Sequence, residues 1–219
     1  VTVVPMARGA VLRLAPTAEA LAQAAASEVL AVLEAAMAWR GEAHLALAGG
    51  RTPAALYRAL ASLPFEGWSH VHVWFGDERL VPPDHADSNY RMARETLLAA
   101  VPVPDLHVHR MAGEQTAAEA AGDYDASLRA LAARQERPLP TFDLLLLGMG
   151  ADAHTASLFP GSPLLESATG NRQPATAYAS DSGEGGDPTT DVTSMSFAAA
   201  VYVPVMDTWR VTITPATIR

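Results

Sequence analysis

The fourteen residues from 148 to 161 carry the pattern best suited to chemistry: Gly-Met-Gly-Ala-Asp-Ala-His-Thr-Ala-Ser-Leu-Phe-Pro-Gly. A neutral imidazole with a pKa of about 6.5 can take a proton from water near neutral pH, so His154 is a candidate general base. Asp152, two residues earlier, either steers the ring or caps a short helix after it. The glycines Gly148 and Gly150 let a ligand approach the backbone, and N–H groups there are candidate donors to a developing oxyanion.

Two further loops hold unusual residues. Gly49-Gly50-Arg51-Thr52-Pro53 follows an apolar run and precedes a helical one. Thr52 suits the cap of that helix and Pro53 its first position, and the free N–H groups of a helix start form a site for an anion such as phosphate. Arg51 adds a charged donor. The alternative is a plain strand-to-helix turn. Gly76-Asp77-Glu78-Arg79 is either a solvated charge cluster or a clamp, in which Arg79 grips a phosphate and Asp77 and Glu78 hold Arg79 or sugar hydroxyls. Asn89 closes this loop and either joins the site or caps the next helix.

The elements that must position these loops alternate. Strands are expected at 11–14, 43–48, 71–75, 106–110 and 142–147, the last being the most apolar and read as buried. Helices are expected at 17–40, 54–63, 89–99 and 114–135, the first started by Thr17 and stopped by Gly41. This order predicts one α/β domain over 1–219, an open Rossmann-like, mostly parallel sheet with helices on both faces. Ligands then bind beyond the carboxyl ends of the strands, where the three loops emerge. Residues 167–196 are polar and glycine-rich and are expected to form a mobile loop; order is expected again from 198 to 205, and 210–214 alternates like a strand.

Composition narrows the function. The net charge is −9 and the 15 basic residues are all arginine, so general nucleic-acid binding, a lysine Schiff base and a P-loop lysine are excluded. Cysteine is absent, which excludes disulfides and thiol catalysis and fits a reducing cytoplasm, the expected location. With no unbroken apolar run of about 18 residues and no secretory pattern at the start, no membrane partner is expected. The His-x-His pairs at 70/72 and 107/109 each share a strand face, but no third ligand is signalled nearby and no metal is expected. A serine-hydrolase elbow and a dinucleotide fingerprint are both missing.

Taken together, residues 45–53, 73–79 with 87–90, and 148–161 resemble the 6-phosphogluconolactonase family in motif, order and spacing. The resemblance spans about 11–165. It implies the open sheet shared with glucosamine-6-phosphate deaminase and ribose-5-phosphate isomerase. It also implies hydrolysis of 6-phospho-D-glucono-1,5-lactone to 6-phosphogluconate in the oxidative pentose phosphate pathway, without cofactor or metal. His154 would be the base, and the phosphate and sugar contacts would fall on Gly49, Gly50, Arg51, Thr52 and Arg79. The arginine opening the family's Arg-Val-Thr strand would be Arg210. A small phosphorylated sugar lactone is the expected partner, and a monomer the expected state. The chain departs from the family at Ala153, usually glycine, and between 167 and 209, where a Lys-Pro-Pro-rich stretch is lacking. The family's final strand and helix are also missing from the stated sequence. Two alternatives are an amino-sugar-phosphate deaminase or isomerase, whose motif carries a glutamate absent here, and a catalytically silent sugar-phosphate binder.

Overall fold

The two most buried strands, β3 (Ala43–Leu47) and β4 (Val71–Phe75), are apolar on both faces apart from one histidine each. That composition suits a parallel sheet covered on both sides. In the computed structural model, which describes residues 1–7, 10–162, 164–165, 196–203, 206 and 208–218, they pair parallel with His44 opposite His72. β6 (Leu144–Leu145) adds to the other side of β3, giving the order β4-β3-β6. Side chains alternate between two cores. Leu45, Leu47, Val73 and Phe75 meet Leu33 of α1 (Ala18–Arg40) and Tyr57 and Leu60 of α2 (Arg51–Ser62). Ala46 and Trp74 meet Tyr124 and Leu128 of α4 (Ala117–Arg134) on the opposite face.

β4 does not end in a loop. Gly76 turns it into a short strand, β5 (Asp77–Arg79), which pairs antiparallel with β8 (Thr208–Ile213); β8 in turn pairs with β7 (Ala198–Val203). The two sheets meet at Gly76, whose N–H donates to Leu47 O (2.8 Å) and whose carbonyl accepts from Ile213 N (3.0 Å). The polar loop expected after residue 75 is therefore partly strand, and Asp77 and Glu78 are buried in it.

Three other expectations are corrected. Residues 142–147 are not a fully buried strand: only Leu144–Leu145 is regular, both are half-buried and at the edge of the sheet among the described residues, and Leu147 is exposed. Residues 106–110 give a 3₁₀ turn, Asp105–His107, and a single parallel bridge from Val108 to Val73. β2 (Val11–Leu14) lies outside the parallel sheet, in an exposed hairpin with β1 (Thr2–Pro5). The stretch 167–196 falls, except for Ser196, outside the described residues.

Local chemistry explains the helix ends. Thr17 accepts from Ala20 N, and Gly41 closes α1 at φ 82°. Thr116 and Glu119 form a capping box on α4. α1 is long and apolar enough by composition to cross a bilayer, but Ala26, Val29, Leu30 and Leu33 spend that apolarity on the core. α3 (Asn89–Ala93) continues into a π turn, Arg94–Leu98.

Candidate active site

The parallel strands β3 and β4 are clamped where they emerge. The Tyr57 hydroxyl donates to Ala48 O (2.7 Å) and accepts from Ala48 N (2.9 Å). From the other face, the Tyr124 hydroxyl makes the same pair of bonds with Phe75 O and N, both 2.9 Å. Each tyrosine satisfies a peptide group that has run out of sheet partner, and burial pushes both phenols well above their ordinary pKa. The glycine turns after these strands therefore start from fixed points.

Those turns border a cleft of about 520 Å³ at the carboxyl ends of the parallel strands. Gly49, Gly50, Arg51 and Thr52 line one side, Asp77, Arg79, Asn89 and Arg210 another, and Gly148, Gly150 and His154 a third. The expected residues converge, with two exceptions, Glu78 and Asp152. Glu78 does not line the cleft: it is buried, and its carboxylate accepts from Asn89 N (2.7 Å), Tyr90 N (2.8 Å), Arg79 N (2.9 Å) and the Ser88 hydroxyl (3.0 Å). It anchors the start of α3 through the free N–H groups found there. Burial pushes its carboxyl up, and these four donors oppose the rise. Asp152, at 57% side-chain exposure, is not part of the cleft lining but holds the histidine that is.

At the first turn, Thr52 is not the cap. α2 begins at Arg51, and Gly50 takes the cap position at φ 105° with no side-chain bond to the helix. No side-chain cap bond meets the first N–H groups among the described residues, and Arg51, Thr52 and Pro53 at this positive end line the cleft. Gly49 is required by close packing, since a Cβ there would lie 2.1 Å from Asn89 Oδ1.

The second wall is built around two arginines. Arg79 and Arg210 are directly opposite each other across β5 and β8. Arg79 donates to Asn89 Oδ1 (2.8 Å) and Asp87 O (2.6 Å). Arg210 is buried, with Asp77 Oδ2 at 3.8 Å. Burial first, and then the neighbouring Arg79 charge, pull the Arg210 guanidinium below its ordinary pKa. The Nε of each arginine is buried without a partner among the described residues. Two adjacent cations with donors to spare form a receptor for a multiply charged anion.

The third wall carries the base. His154 Nδ1 is 2.5 Å from Asp152 Oδ1, so the carboxylate fixes the tautomer with Nδ1 protonated and leaves Nε2 with the lone pair. This hydrogen bond holds the Asp152 carboxyl below its ordinary pKa. The ring stacks on Phe159 with centroids 4.6 Å apart. Gly150 lies beneath it, where an added Cβ would be 2.3 Å from the ring's Cε1. Gly150 N donates to His154 O (2.9 Å), so that N–H is not available to an oxyanion. Ala153 stands at φ 65°, a conformation that costs a non-glycine residue about 1 kcal/mol, and the Asp152–His154 pair forms nonetheless.

The family model for glucosamine-6-phosphate isomerases/6-phosphogluconolactonase matches residues 16–219. The chain belongs to this family. It is 46% identical over 133 residues to a Synechocystis 6-phosphogluconolactonase, covering 59% of this chain and 54% of that protein. It is 40% identical over 160 residues to the Mycobacterium tuberculosis protein of the same name, covering 69% and 64%. The chain thus spans between half and two thirds of the length of these curated relatives. Among solved structures, Trypanosoma brucei 6-phosphogluconolactonase superposes with a TM-score of 0.71 at 28% identity, covering 99% of this chain and 79% of that one. The Shewanella baltica enzyme gives 0.69 at 30% identity, covering 92% and 73%.

Within this family member, sequence reasoning named Asp77 but not its role in holding the walls together, and it missed Ser157. Asp77 is a buried junction rather than a free ligand: Oδ1 accepts from Asn89 Nδ2 (3.0 Å) and Oδ2 from the Ser157 hydroxyl (2.6 Å). The available signal was an acid at a buried strand start, opposite an alternating strand with Thr212 at the facing position.

Proposed function

We propose that the protein hydrolyses 6-phospho-D-glucono-1,5-lactone to 6-phosphogluconate. The observation that carries this reading is the single cleft lined by His154 on one wall and by Arg79 and Arg210 on another. A cation pair suits the phosphate, and an imidazole of fixed tautomer suits the removal of a proton from water. The names of the relatives above support the same reaction class.

In this mechanism the phosphate sits between the Arg79 and Arg210 guanidinium groups, with the start of α2 adding its free N–H groups. C1 of the lactone is thereby carried towards His154. A water attacks C1 as His154 Nε2 takes its proton, and Asp152 stabilises the imidazolium that forms. The carbonyl oxygen becomes an oxyanion, for which the Gly148 and Met149 N–H groups on this wall are the backbone candidates. Collapse of the tetrahedral intermediate breaks the C1–O5 bond, and the proton on His154 passes to O5. The acid product leaves with its phosphate intact. An activated ester asks no more than this: one positioned base supplies about 10²–10⁴-fold.

The test is a pH-stat assay on freshly made phosphorylated lactone and on unphosphorylated gluconolactone. The reading predicts hydrolysis far above background for the first and much poorer kcat/KM for the second. Background rates with tight 6-phosphogluconate binding would make the protein a silent binder, and ammonia release from glucosamine 6-phosphate would make it a deaminase.

A further inference from the structure

The loop that carries His154 is held largely by itself. Gly150 N bonds to His154 O, Ala153 N to Gly150 O, and Thr155 bridges Leu158, all within residues 148–161. Gly148, Met149, Ala151 and Asp152 are exposed. Among the described residues, two hydrogen bonds reach out of this loop to the strands, and both come from Ser157, which has no exposed surface. Its hydroxyl donates to Asp77 Oδ2 (2.6 Å), and its backbone N–H donates to Thr212 Oγ1 (3.2 Å).

The partners are what make this attachment informative. Asp77 on β5 and Thr212 on β8 are directly opposite each other, and the next pair on the same face is Arg79 opposite Arg210. Strand side chains two residues apart share a face and are separated by roughly 7 Å. Ser157 therefore straddles the same two strands that present the arginine pair, one same-face step away. It sits three residues beyond the imidazole, after Ala156 at φ 48°. Through this one residue, the histidine loop is referenced to both halves of the anion receptor at once.

We propose that Ser157, with Thr212 as its backbone acceptor, is a positioning residue that sets the span between the His154 imidazole and the Arg79–Arg210 pair. This rests on the lactonase reading for its kinetic consequence, but not for its geometric one. A charge-assisted hydrogen bond to a buried carboxylate is stiff and directional. Displacing a reacting group by about 1 Å can cost about 10²-fold in rate, even when nothing touching the substrate has changed.

Ser157→Ala and Thr212→Val each remove one of the two attachments, and neither residue lines the cleft. In the pH-stat assay both variants are expected to lose about 10- to 100-fold in kcat, while KM and the affinity for 6-phosphogluconate measured by calorimetry change less than about threefold. The double variant is expected to lose less than the product of the two single losses, because both act on one attachment. A crystal structure of Ser157→Ala is expected to show residues 150–158 shifted against β5 and β8, with Arg79 and Arg210 in place. Wild-type kcat in the two variants with the loop unmoved would overturn the proposal, as would losses confined to melting temperature. If the wild-type protein itself leaves the lactone intact, the lactonase reading fails alone. The position of the loop in the Ser157→Ala crystal then decides whether Ser157 sets the span.

Discussion

The two ends of the parallel sheet treat histidine in opposite ways. At the carboxyl end, His154 is half-exposed, paired with an exposed carboxylate and set over a glycine on an open cleft. At the amino end, His72 stacks with His44, His107 and His109, and His109 stacks in turn on Trp74. His72 and His107 have centroids 3.9 Å apart, as Trp74 and His109 do at 3.8 Å. His72 Nδ1 meets His109 Nε2 at 3.1 Å, and His44 accepts from Trp74 Nε1 (3.2 Å). Glu42 and Arg134 border this cluster. Burial, followed by mutual repulsion, pushes His72 and His109 down to about 4, so both rings are neutral at pH 7. The four-imidazole cluster is a stacked wall of the core, and the cleft is lined by His154. What separates them is access and a free nitrogen, not the number of histidines.

The sharpest way to break this comparison is to exchange the losses. His154→Ala should lower kcat by about 10²–10⁴-fold with little change in stability. His72→Phe should leave kcat near wild type and cost about 1–3 kcal/mol of stability, because it strands the nitrogen of His109. Steady-state kinetics and urea titration of both variants check this, and a lactonase loss in His72→Phe would contradict it.

Gly150→Ala should come next in size. A methyl group 2.3 Å from the ring carbon must push the imidazole aside, so kcat should fall about 10²-fold in a protein that still melts cooperatively. Arg210→Gln should act on the other wall, lowering kcat/KM for the phosphorylated lactone by about 10- to 100-fold, the worth of a charged hydrogen bond. The same change should barely alter kcat/KM for unphosphorylated gluconolactone, which competition between the two substrates would reveal.

A smaller effect concerns acid. Unfolded imidazoles titrate near 6.5, whereas His72 and His109 stay neutral in the fold down to about 4. Between those values the unfolded chain binds more protons, so this contribution to stability is intact above about pH 6.5 and is lost as pH falls towards 4. The urea midpoint should drop from pH 7 to pH 5, and drop less in His72→Phe. Smallest of all, Ala153→Gly should change stability by no more than about 1 kcal/mol: it relieves φ 65° but adds chain entropy to the unfolded state. Activity should not change.

The motifs were legible because they are local. Three glycine-bearing turns after apolar runs state that ligand and backbone approach closely, and the structure brings Gly49, Arg79 and His154 to one cleft. The half-buried state of residues 142–147 was not legible, because an apolar run looks the same whether it is paired over its whole length or only at Leu144–Leu145. Nor was the role of Glu78: besides the adjacent Arg79 N–H, its partners lie ten to twelve residues on, and the loop after β5 brings them round. Asp77 and Ser157 are 80 residues apart, and no spacing rule links them. The four-histidine stack was half-visible as His-x-His pairs, but His70 turns out exposed on its 3₁₀ turn, and His44 joins from another strand.

One sugar ring must span the cleft from the arginine pair to His154, and a crystal structure with 6-phosphogluconate bound measures that directly. The phosphate should bridge Arg79 and Arg210, and the C1 carboxylate should lie within about 3 Å of His154 Nε2. The opposite orientation, or a phosphate bound away from both arginines, would contradict it.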